Sequence, residues 1–489
     1  MFKRLITRIR KEPFLWITLL IAAGVYGLIS FVNHYCFRTY TLDLGAYTNA
    51  LYDYAHFQLN DSSTFKEVPE NLLADHFDLY LPIISPLVYV FGTYTLLIVQ
   101  LIAVLAGATG IYRYFEFTYP ATNQKRFALV YFLLFFGIFA AFSFDYHSNV
   151  VATMLVPWLL LAFAKGQLKR IVFLTIFILI AKENLSLWMI FIGFGMAYLH
   201  FKNKQLRYFA LGIAGCSMLY FVVVTGMIMP ALSNSGHYPH FHYSVLGTGA
   251  GEALIQLLSH PIDSFRILFV NHTVFPENDF VKAEFWIVIG ICSIFCLLRK
   301  PIYLFMLIPI FAQKLFHDNS SMWGINQHYA IEFAPLLTIG TFEAIAKFRN
   351  KSFVKTASYL AIVCSLICAI RVMDNTIAYS EKARVRVYKS AHYSREFSID
   401  KAYTVLNQIP ENAVVSAQSA FVSHLALRES VYQFPIIRNA TYIVLSPIDN
   451  PYPLTAAVFS HKKDSLLNSS AWKVVIKDES FVLLKKNKP

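Results

Sequence analysis

Ionisable side chains stand where the apolar segments of this chain end. Asp43, in the stretch YTLDLGAYTNALYDYAH, directly follows the first long apolar run. A carboxylate at such a boundary can accept the proton of an incoming hydroxyl group, which is general-base catalysis of a group transfer. Cationic and imidazole side chains beside it can stabilise a phosphate that leaves in the same step. Candidates of this kind recur at later boundaries: Asp75, His76, Asp78, Asp145, His147, Lys182, Glu183, His328 and Tyr329.

The composition indicates that the elements positioning these groups are membrane helices. Of the 489 residues, 56% are hydrophobic and 15% are charged, and the mean hydropathy is +0.50. A soluble domain of this length needs a more polar surface, so the balance is typical of a polytopic membrane protein. Hydropathy predicts a bundle of about eleven helices, several of them shorter than the roughly 20 residues of a straight span. Their apolar runs are 14–33, 80–112, 127–144, 149–165, 170–182, 184–200, 207–230, 284–298, 301–316, 329–346 and 354–372.

The positions of the basic residues predict the orientation of these helices. Lysines and arginines are concentrated in alternate connections, at 1–12, 113–126, 165–170, 202–207, 299–300 and 347–355. The positive-inside rule places these connections and the N-terminus in the cytoplasm, and an odd number of helices then places the C-terminus outside. The net charge of +13 is thereby explained without nucleic acid. All the candidate residues fall in the other, outer connections, where a charge at a helix end needs a partner or a water-filled cavity.

The composition changes near Asp374. The runs NAVVSAQ, TYIVLSP, WKVVIKD and SFVLLKK are short and β-like, and helical or turn stretches separate them. A tail of this length can bury a small core of its own. The sequence therefore predicts a mainly α transmembrane domain at 1–373, followed by a small, soluble, extracytoplasmic α/β domain at 374–489.

Several of the candidates also have a purely structural interpretation. Asp43 can cap the helix LGAYTNALYDYAH, whose apolar residues recur at helical spacing. Lys182 and Glu183 can form an ion pair in an interfacial turn. The histidines of HYPHFHY suggest zinc, but alternating histidines in a loop have no definite ligand geometry. No metal ligand is therefore assigned and no cofactor is certain, although the binding of a divalent metal remains an open alternative.

Seven blocks of the chain, in their order, resemble the bacterial and archaeal membrane-protein family known as domain of unknown function 2079. They are LDLGAYTNALYDYAH, DHFDLYLPIISPLVYVF, FDYHSN, AKENLSLW, HPIDSFRIL, QHYAIEFAPLL and VVSAQSAFVSHLALRESVYQFP. The chain departs from the usual pattern in having Tyr47-Thr48-Asn49 where Phe-Asp-Gln-like residues are common. One carboxylate of the first outer loop is therefore missing, which puts any two-acid mechanism there in doubt.

This family is similar to a branch of the GT-C glycosyltransferase superfamily. The resemblance implies an enzyme of the bacterial cytoplasmic membrane that takes a sugar from a polyprenyl-phosphate-linked donor. The acceptor would be a glycan, lipid or protein on the outer face. Asp43 would be the general base, made more basic by partial desolvation at the boundary. Lys182, His76 and His328 would stabilise the lipid phosphate, and the other candidates would bind substrate.

Two further expectations concern the surroundings of Asp43. The amphipathic helix that follows it would lie in the membrane interface and frame the access of the donor. The soluble tail would cover the cavity or bind the acceptor.

Two other functional classes stay open. A transporter or flippase for a lipid-linked or polar solute usually has ionisable groups near mid-bilayer and repeated halves. Here the charges stand at one end of the helices and no halves repeat, which favours the enzyme. A non-catalytic scaffold of the same fold is the third interpretation, because a fold does not guarantee activity.

Overall fold

The structure, a computed structural model, describes residues 11–487. It is mainly helical with a small sheet near the C-terminus, which confirms the predicted fold class. The basic residues of segment 1–10 and the last two residues of the tail, which entered the topology and domain predictions, lie outside the described residues.

Five helices among the described residues are long and apolar enough to cross a membrane. They are Pro13–Tyr35, Tyr80–Thr118, Lys204–Leu232, Pro276–Arg299 and Lys351–Met373. A sixth span results if Gln124–Leu133 and Phe136–Phe142, bent by 41° at their junction, count as one. The other apolar helices of this part are shorter: Ser148–Ala164, Leu168–Leu179, Leu185–Leu199, Ile302–Phe305, Ile308–Leu315 and Phe333–Ala346. Hydropathy counts about eleven runs because it does not register where a helix is short or bent.

The long run 80–112 is broken. Short helices Tyr80–Ile84 and Val88–Phe91 precede the continuous helix Thr95–Thr118. Gly92 lies at the second break with φ +57°, a left-handed conformation that glycine adopts without steric cost. The segment thus consists of two short helices followed by one long, continuous helix.

Three of the connections assigned to the cytoplasm meet at one end of the bundle. Arg113 contacts Glu12 and Glu116, and Lys125 lies 2.9 Å from Glu116. Arg113 also lines a cavity of about 500 Å³ with Lys165 and Arg170 of the next basic connection. The helix Pro13–Tyr35, about 35 Å long at 1.5 Å per residue, separates this end from the first outer loop.

The connections predicted to lie outside, here called the outer connections, contain short helices of their own: Ala46–Ala55, Leu72–Asp75, Ala250–Ser259 and Pro261–Ile267. Ala46–Ala55 is buried on nearly all sides. Its Asn49 donates hydrogen bonds to the carbonyl groups of Ala426 (3.1 Å) and Arg428 (2.9 Å) in the tail. Most of this helix is therefore packed against protein, and its placement in the membrane interface stays a prediction.

The tail forms one five-stranded sheet. Its strands are β1 (Val415–Ala417), β2 (Val431–Gln433), β3 (Tyr442–Leu445), β4 (Trp472–Lys477) and β5 (Val482–Lys486). They lie in the order β2-β1-β3-β5-β4, with β1 parallel to β2 and β3, and β5 antiparallel to β3 and β4. The tail helices are Ile399–Leu406, Ser419–Leu425 and Ala456–Leu467.

The tail packs directly on the first outer loop. Phe37, which follows the first membrane helix, is fully buried in the tail core against Phe397 and Phe421. Arg38 donates hydrogen bonds to the carbonyl groups of Ala391 and His392, each at 2.6 Å. The buried Phe37 and the hydrogen bonds of Arg38 thus fix the loop that carries Asp43 to the tail.

Candidate active site

Asp43 lies in a π-helical turn, Thr41–Gly45, immediately before the helix Ala46–Ala55. One quarter of its side chain is exposed. No side-chain cap hydrogen bond is made at the start of either element among the described residues. The capping interpretation of Asp43 is therefore wrong, and its carboxylate is available for other contacts.

Asp145, from the second outer connection, holds the start of this turn instead. Its Oδ2 accepts the Tyr40 N–H (3.0 Å), and its Oδ1 accepts a hydrogen bond from the Arg384 guanidinium (2.5 Å). Burial raises the pKa of Asp145 to about 6, although the Arg384 charge opposes this rise. Asp145 was expected to bind substrate. The structure commits it to internal contacts, because both of its oxygens have protein partners.

Asp43, His147 and His328 form a contiguous group. His147 Nε2 lies 3.2 Å from Asp43 Oδ1. The imidazole rings of His147 and His328 stack with their centroids 3.4 Å apart. The ring centroid of Tyr329 lies 4.1 Å from that of His328. Within the described part of the chain, the Nδ1 atoms of both histidines are buried without a hydrogen-bond partner. Three outer connections that are remote in sequence therefore meet at Asp43.

The ionisation of Asp43 differs from the expectation. Burial is the largest influence and raises the pKa of this carboxyl, and the neighbouring His147 opposes this rise. The charges of Arg384 and Lys182 act in the same direction, so the pKa of Asp43 lies below its usual value. Burial lowers the pKa of His147 despite the attraction of Asp43, and burial holds the pKa of His328 well below its ordinary range. At neutral pH the group therefore consists of one carboxylate and two uncharged imidazoles.

Lys182 is a second cation that acts on this group, after Arg384. It is half-buried, and it forms no ion pair within 4.0 Å with any carboxylate in residues 11–487. The predicted Lys182–Glu183 pair is thus absent. The charge of Lys182 lowers the pKa of both Asp43 and His147, which places it within electrostatic reach of them. An unpaired ammonium group beside a carboxylate and neutral imidazoles suits an anionic ligand.

A second group surrounds Glu183, which is 1% exposed. Its carboxylate accepts the Phe77 N–H (3.1 Å) and the Tyr238 hydroxyl (3.3 Å), and it lies 3.2 Å from His76 Nδ1. Burial raises the pKa of Glu183, but His76 outweighs burial and brings this pKa to about 2. Glu183 is therefore an anion at all physiological pH values.

His240 and Asp75 complete this second group. The rings of His76 and His240 stack with centroids 4.1 Å apart. His240 Nε2 lies 2.5 Å from the Asp75 carbonyl oxygen and 3.8 Å from its Oδ1. Burial, and then the neighbouring His76, lower the pKa of His240 to about 3, so this imidazole is uncharged. The first, third and fourth outer connections meet here.

Asp78 has a structural role in this geometry. Its Oδ1 accepts the Tyr80 N–H (2.8 Å) at the start of the helix Tyr80–Ile84, and the residue is 2% exposed. Burial raises the pKa of Asp78 to about 7. The carboxylate satisfies a helix end in this position, and its binding of substrate stays a prediction.

Two residues that matter to this arrangement were not assigned from the sequence. Arg384 stands in the run EKARVRV, which looks like the ordinary charged surface of a soluble segment. Only the tertiary fold shows that it is buried against Asp145. His240 was considered within HYPHFHY, but its neighbours from other loops cannot be deduced from spacing. A single sequence carried no signal for either contact.

Two solved structures are similar to the chain over nearly its whole length, at low sequence identity. One is ArnT from Cupriavidus metallidurans bound to undecaprenyl phosphate, with 11% identity, a TM-score of 0.47, and coverage of 97% of this chain and 98% of that chain. The other is ArnT from the same organism in the apo state, with 10% identity, a TM-score of 0.44, and coverage of 96% and 97%. No curated protein matches the chain.

The sequence family is assigned by a match to a family profile. The profile described as "Predicted membrane protein (DUF2079)" matches residues 33–474. This interval contains every candidate residue from Asp43 to Tyr329, and it confirms the resemblance that the seven sequence blocks indicated. The chain belongs to the DUF2079 family of membrane proteins.

Proposed function

We propose that this protein is a membrane glycosyltransferase of the GT-C type. It moves a sugar from a polyprenyl-phosphate-linked donor to a hydroxyl acceptor, with Asp43 as general base. The observation that carries the proposal is the placement of Asp43: an ionised, quarter-exposed carboxylate, held by His147, with the unpaired Lys182 in electrostatic reach.

The proposed reaction is a single displacement with inversion. The acceptor oxygen attacks the anomeric carbon while its proton passes to Asp43, and the bond between that carbon and the phosphate oxygen breaks on the opposite face. The products are the glycosylated acceptor, the polyprenyl phosphate and protonated Asp43, which then loses its proton to water. Because the pKa of Asp43 is low, proton transfer accompanies bond formation instead of preceding it.

Lys182 is proposed as the main electrostatic partner of the leaving phosphate. A preorganised ammonium group stabilises the charge that develops on that oxygen, and it acts more strongly where water is excluded. His147 has a positioning role, because its Nε2 fixes one oxygen of Asp43 and leaves the other for the acceptor. His328 stacks on His147 and can donate to the same anion, whereas Nδ1 of His76 faces the Glu183 carboxylate.

The proposed setting is the outer face of the bacterial cytoplasmic membrane, with the N-terminus in the cytoplasm and the tail outside. The distribution of basic residues supports this orientation. The tail then covers the loop that carries Asp43 from the extracytoplasmic side. The tail therefore offers a surface to which an acceptor can bind near Asp43.

The test is transfer of label from a polyprenyl-phosphate sugar to membrane-derived acceptors by the purified protein. Asp43→Asn keeps the size of the side chain but removes the base, and we expect transfer to fall by about 10²- to 10⁴-fold. Glu67→Gln, an exposed carboxylate of the same loop, is the matched control. A fully active Asp43→Asn protein excludes the proposed base. Solute uptake into vesicles by wild type and variant alike indicates a transporter.

A further inference from the structure

Asp75, His76 and His240 place three metal-ligating side chains around one point. One ligand atom from each residue lies within 4.8 Å of the other two. The side chains are 26%, 19% and 27% exposed, so the point is partly shielded but open to solvent on one side. Asp75 and His76 belong to the first outer connection, whereas His240 comes from the fourth.

We propose that these three side chains bind a divalent transition-metal ion, with Zn²⁺ as the best match. Two imidazoles and one carboxylate, with a fourth position left open, form the ligand set of an open zinc site. Ligand atoms about 2 Å from a tetrahedral ion lie roughly 3.3 Å apart. The 3.8 Å between His240 Nε2 and Asp75 Oδ1 is about half an ångström wider than this, and all three ligand atoms lie within 4.8 Å of one another. Binding of the ion therefore requires the stacked rings of His76 and His240 to turn toward a common point.

The surroundings of His76 support the proposal independently. Its Nδ1 lies 3.2 Å from the buried Glu183 carboxylate, which leaves Nε2 free to face the ion. A ligating histidine commonly donates its other N–H to a carboxylate, which fixes the tautomer and the orientation of the ring. Glu183 in turn is held by the Phe77 N–H and the Tyr238 hydroxyl, so it cannot rotate freely.

The charges at this point also balance with an ion present. Asp75 and Glu183 contribute two carboxylates to this group, and no lysine or arginine among the described residues lies within 4.0 Å of either. A divalent cation at this point would offset both negative charges. Without an ion the same group is only a stack of two imidazoles, with His240 Nε2 donating to the Asp75 carbonyl oxygen. The two interpretations differ in whether metal binds at all.

The experiment uses the full-length protein, purified in detergent without a polyhistidine tag and stripped of metal with a chelator. Addition of Zn²⁺ alone is followed by calorimetry and by elemental analysis after gel filtration. We expect one ion per chain, together with a rise in Tm, because the ion joins two loops of the folded state only.

His240→Gln keeps a donor for the Asp75 carbonyl but removes the imidazole. We expect it to weaken Zn²⁺ binding by more than about 100-fold and to abolish the Tm rise. Glu183→Gln should weaken binding by about 10- to 100-fold, the usual effect of an outer hydrogen-bond partner. His237→Ala, an exposed histidine of the same loop, should change nothing.

The proposal is overturned if wild-type protein binds no Zn²⁺, or if His240→Gln binds it as tightly as wild type. Gel filtration and the Tm of each metal-free variant show whether it is folded, so a misfolded variant is not counted as loss of a ligand. The readouts do not involve sugar transfer. Failure of the glycosyltransferase proposal therefore leaves this result intact, and the reverse also holds.

Discussion

Arg384 donates a hydrogen bond to Asp145 over 2.5 Å, and only 3% and 1% of the two side chains are exposed. The contact joins the second outer connection to the first part of the tail, shortly after the last membrane helix. Asp145 also holds the Tyr40 N–H, so this ion pair supports the turn that carries Asp43. The proposed base is thereby positioned by groups far from it in sequence.

Arg384→Gln should destabilise the protein severely. It leaves the buried Asp145 carboxylate without its cation, and removal of one partner of a buried pair costs about 3–5 kcal/mol. Thermal unfolding in detergent measures the loss. The double variant with Asp145→Asn should recover part of it, because no uncompensated charge then remains.

A surface ion pair provides the control for this prediction. Arg386 contacts Asp374, which is 60% exposed, so Arg386→Gln should cost about 1 kcal/mol or less. Equal losses from the Arg384 and Arg386 variants would contradict the importance assigned to burial.

His147→Gln should move the acid limb of the pH–rate profile to higher pH. Asp43 acts as a base only when it is ionised, and His147 is the main influence that lowers its pKa against burial. Without the imidazole, burial raises the pKa of Asp43, so protonation inactivates the enzyme at a higher pH. The rate of sugar transfer, measured across the acid range for wild type, His147→Gln and His237→Gln, tests this. An unshifted acid limb in His147→Gln would count against the pairing.

Lys182→Gln should weaken the binding of polyprenyl phosphate. Loss of a hydrogen bond to a charged group corresponds to about 1.5–3 kcal/mol, or roughly 10- to 100-fold in Kd. Lys182→Arg should restore part of the affinity because it keeps the charge. The matched control is Lys169→Gln, an exposed lysine of a connection assigned to the cytoplasm. Equal weakening by both glutamine variants would show a general effect of charge.

Asp53→Asn should raise stability at neutral pH and flatten its pH dependence. Burial raises the pKa of Asp53 from 3.8 to about 6, although Asn60 donates a hydrogen bond to it. The folded protein therefore holds a proton that the unfolded chain releases, and stability falls as pH rises from about 4 to about 6. Above that window wild type bears the full penalty, up to about 3 kcal/mol.

Thermal unfolding at pH 5 and pH 8 distinguishes the outcomes for Asp53. The variant should gain most at pH 8. A loss of stability at pH 8 would instead show that the fold depends on the charged form of this carboxylate.

Local pattern was enough to predict the elements but not the contacts between them. The four β-like runs of the tail became β1, β3, β4 and β5, because each contains consecutive β-branched or aromatic residues. β2 was missed, since Val431–Gln433 has only three residues and lies inside a block that reads as irregular. A strand this short is defined by its parallel pairing with β1, which is a tertiary feature.

In the candidate site too, the sequence predicted the location of residues but not the contacts between them. Topology placed Asp43, His147 and His328 in outer connections, and the structure brings them into contact. Sequence could not show which carboxylate caps the turn, because Asp145 lies more than a hundred residues from Tyr40. It also could not show the sign of the Asp43 pKa shift, which results from burial and a specific imidazole acting in opposition.

Phe37 lies in the predicted transmembrane domain but belongs to the hydrophobic core of the predicted C-terminal domain. This side chain lies at the start of the first outer loop, yet it packs in the tail core against Phe397 and Phe421. A separately expressed tail that begins near Asp374 would carry a hole the size of a benzyl group and an exposed apolar surface. The tail core is therefore complete only when Phe37 and the tail lie on the same side of the membrane.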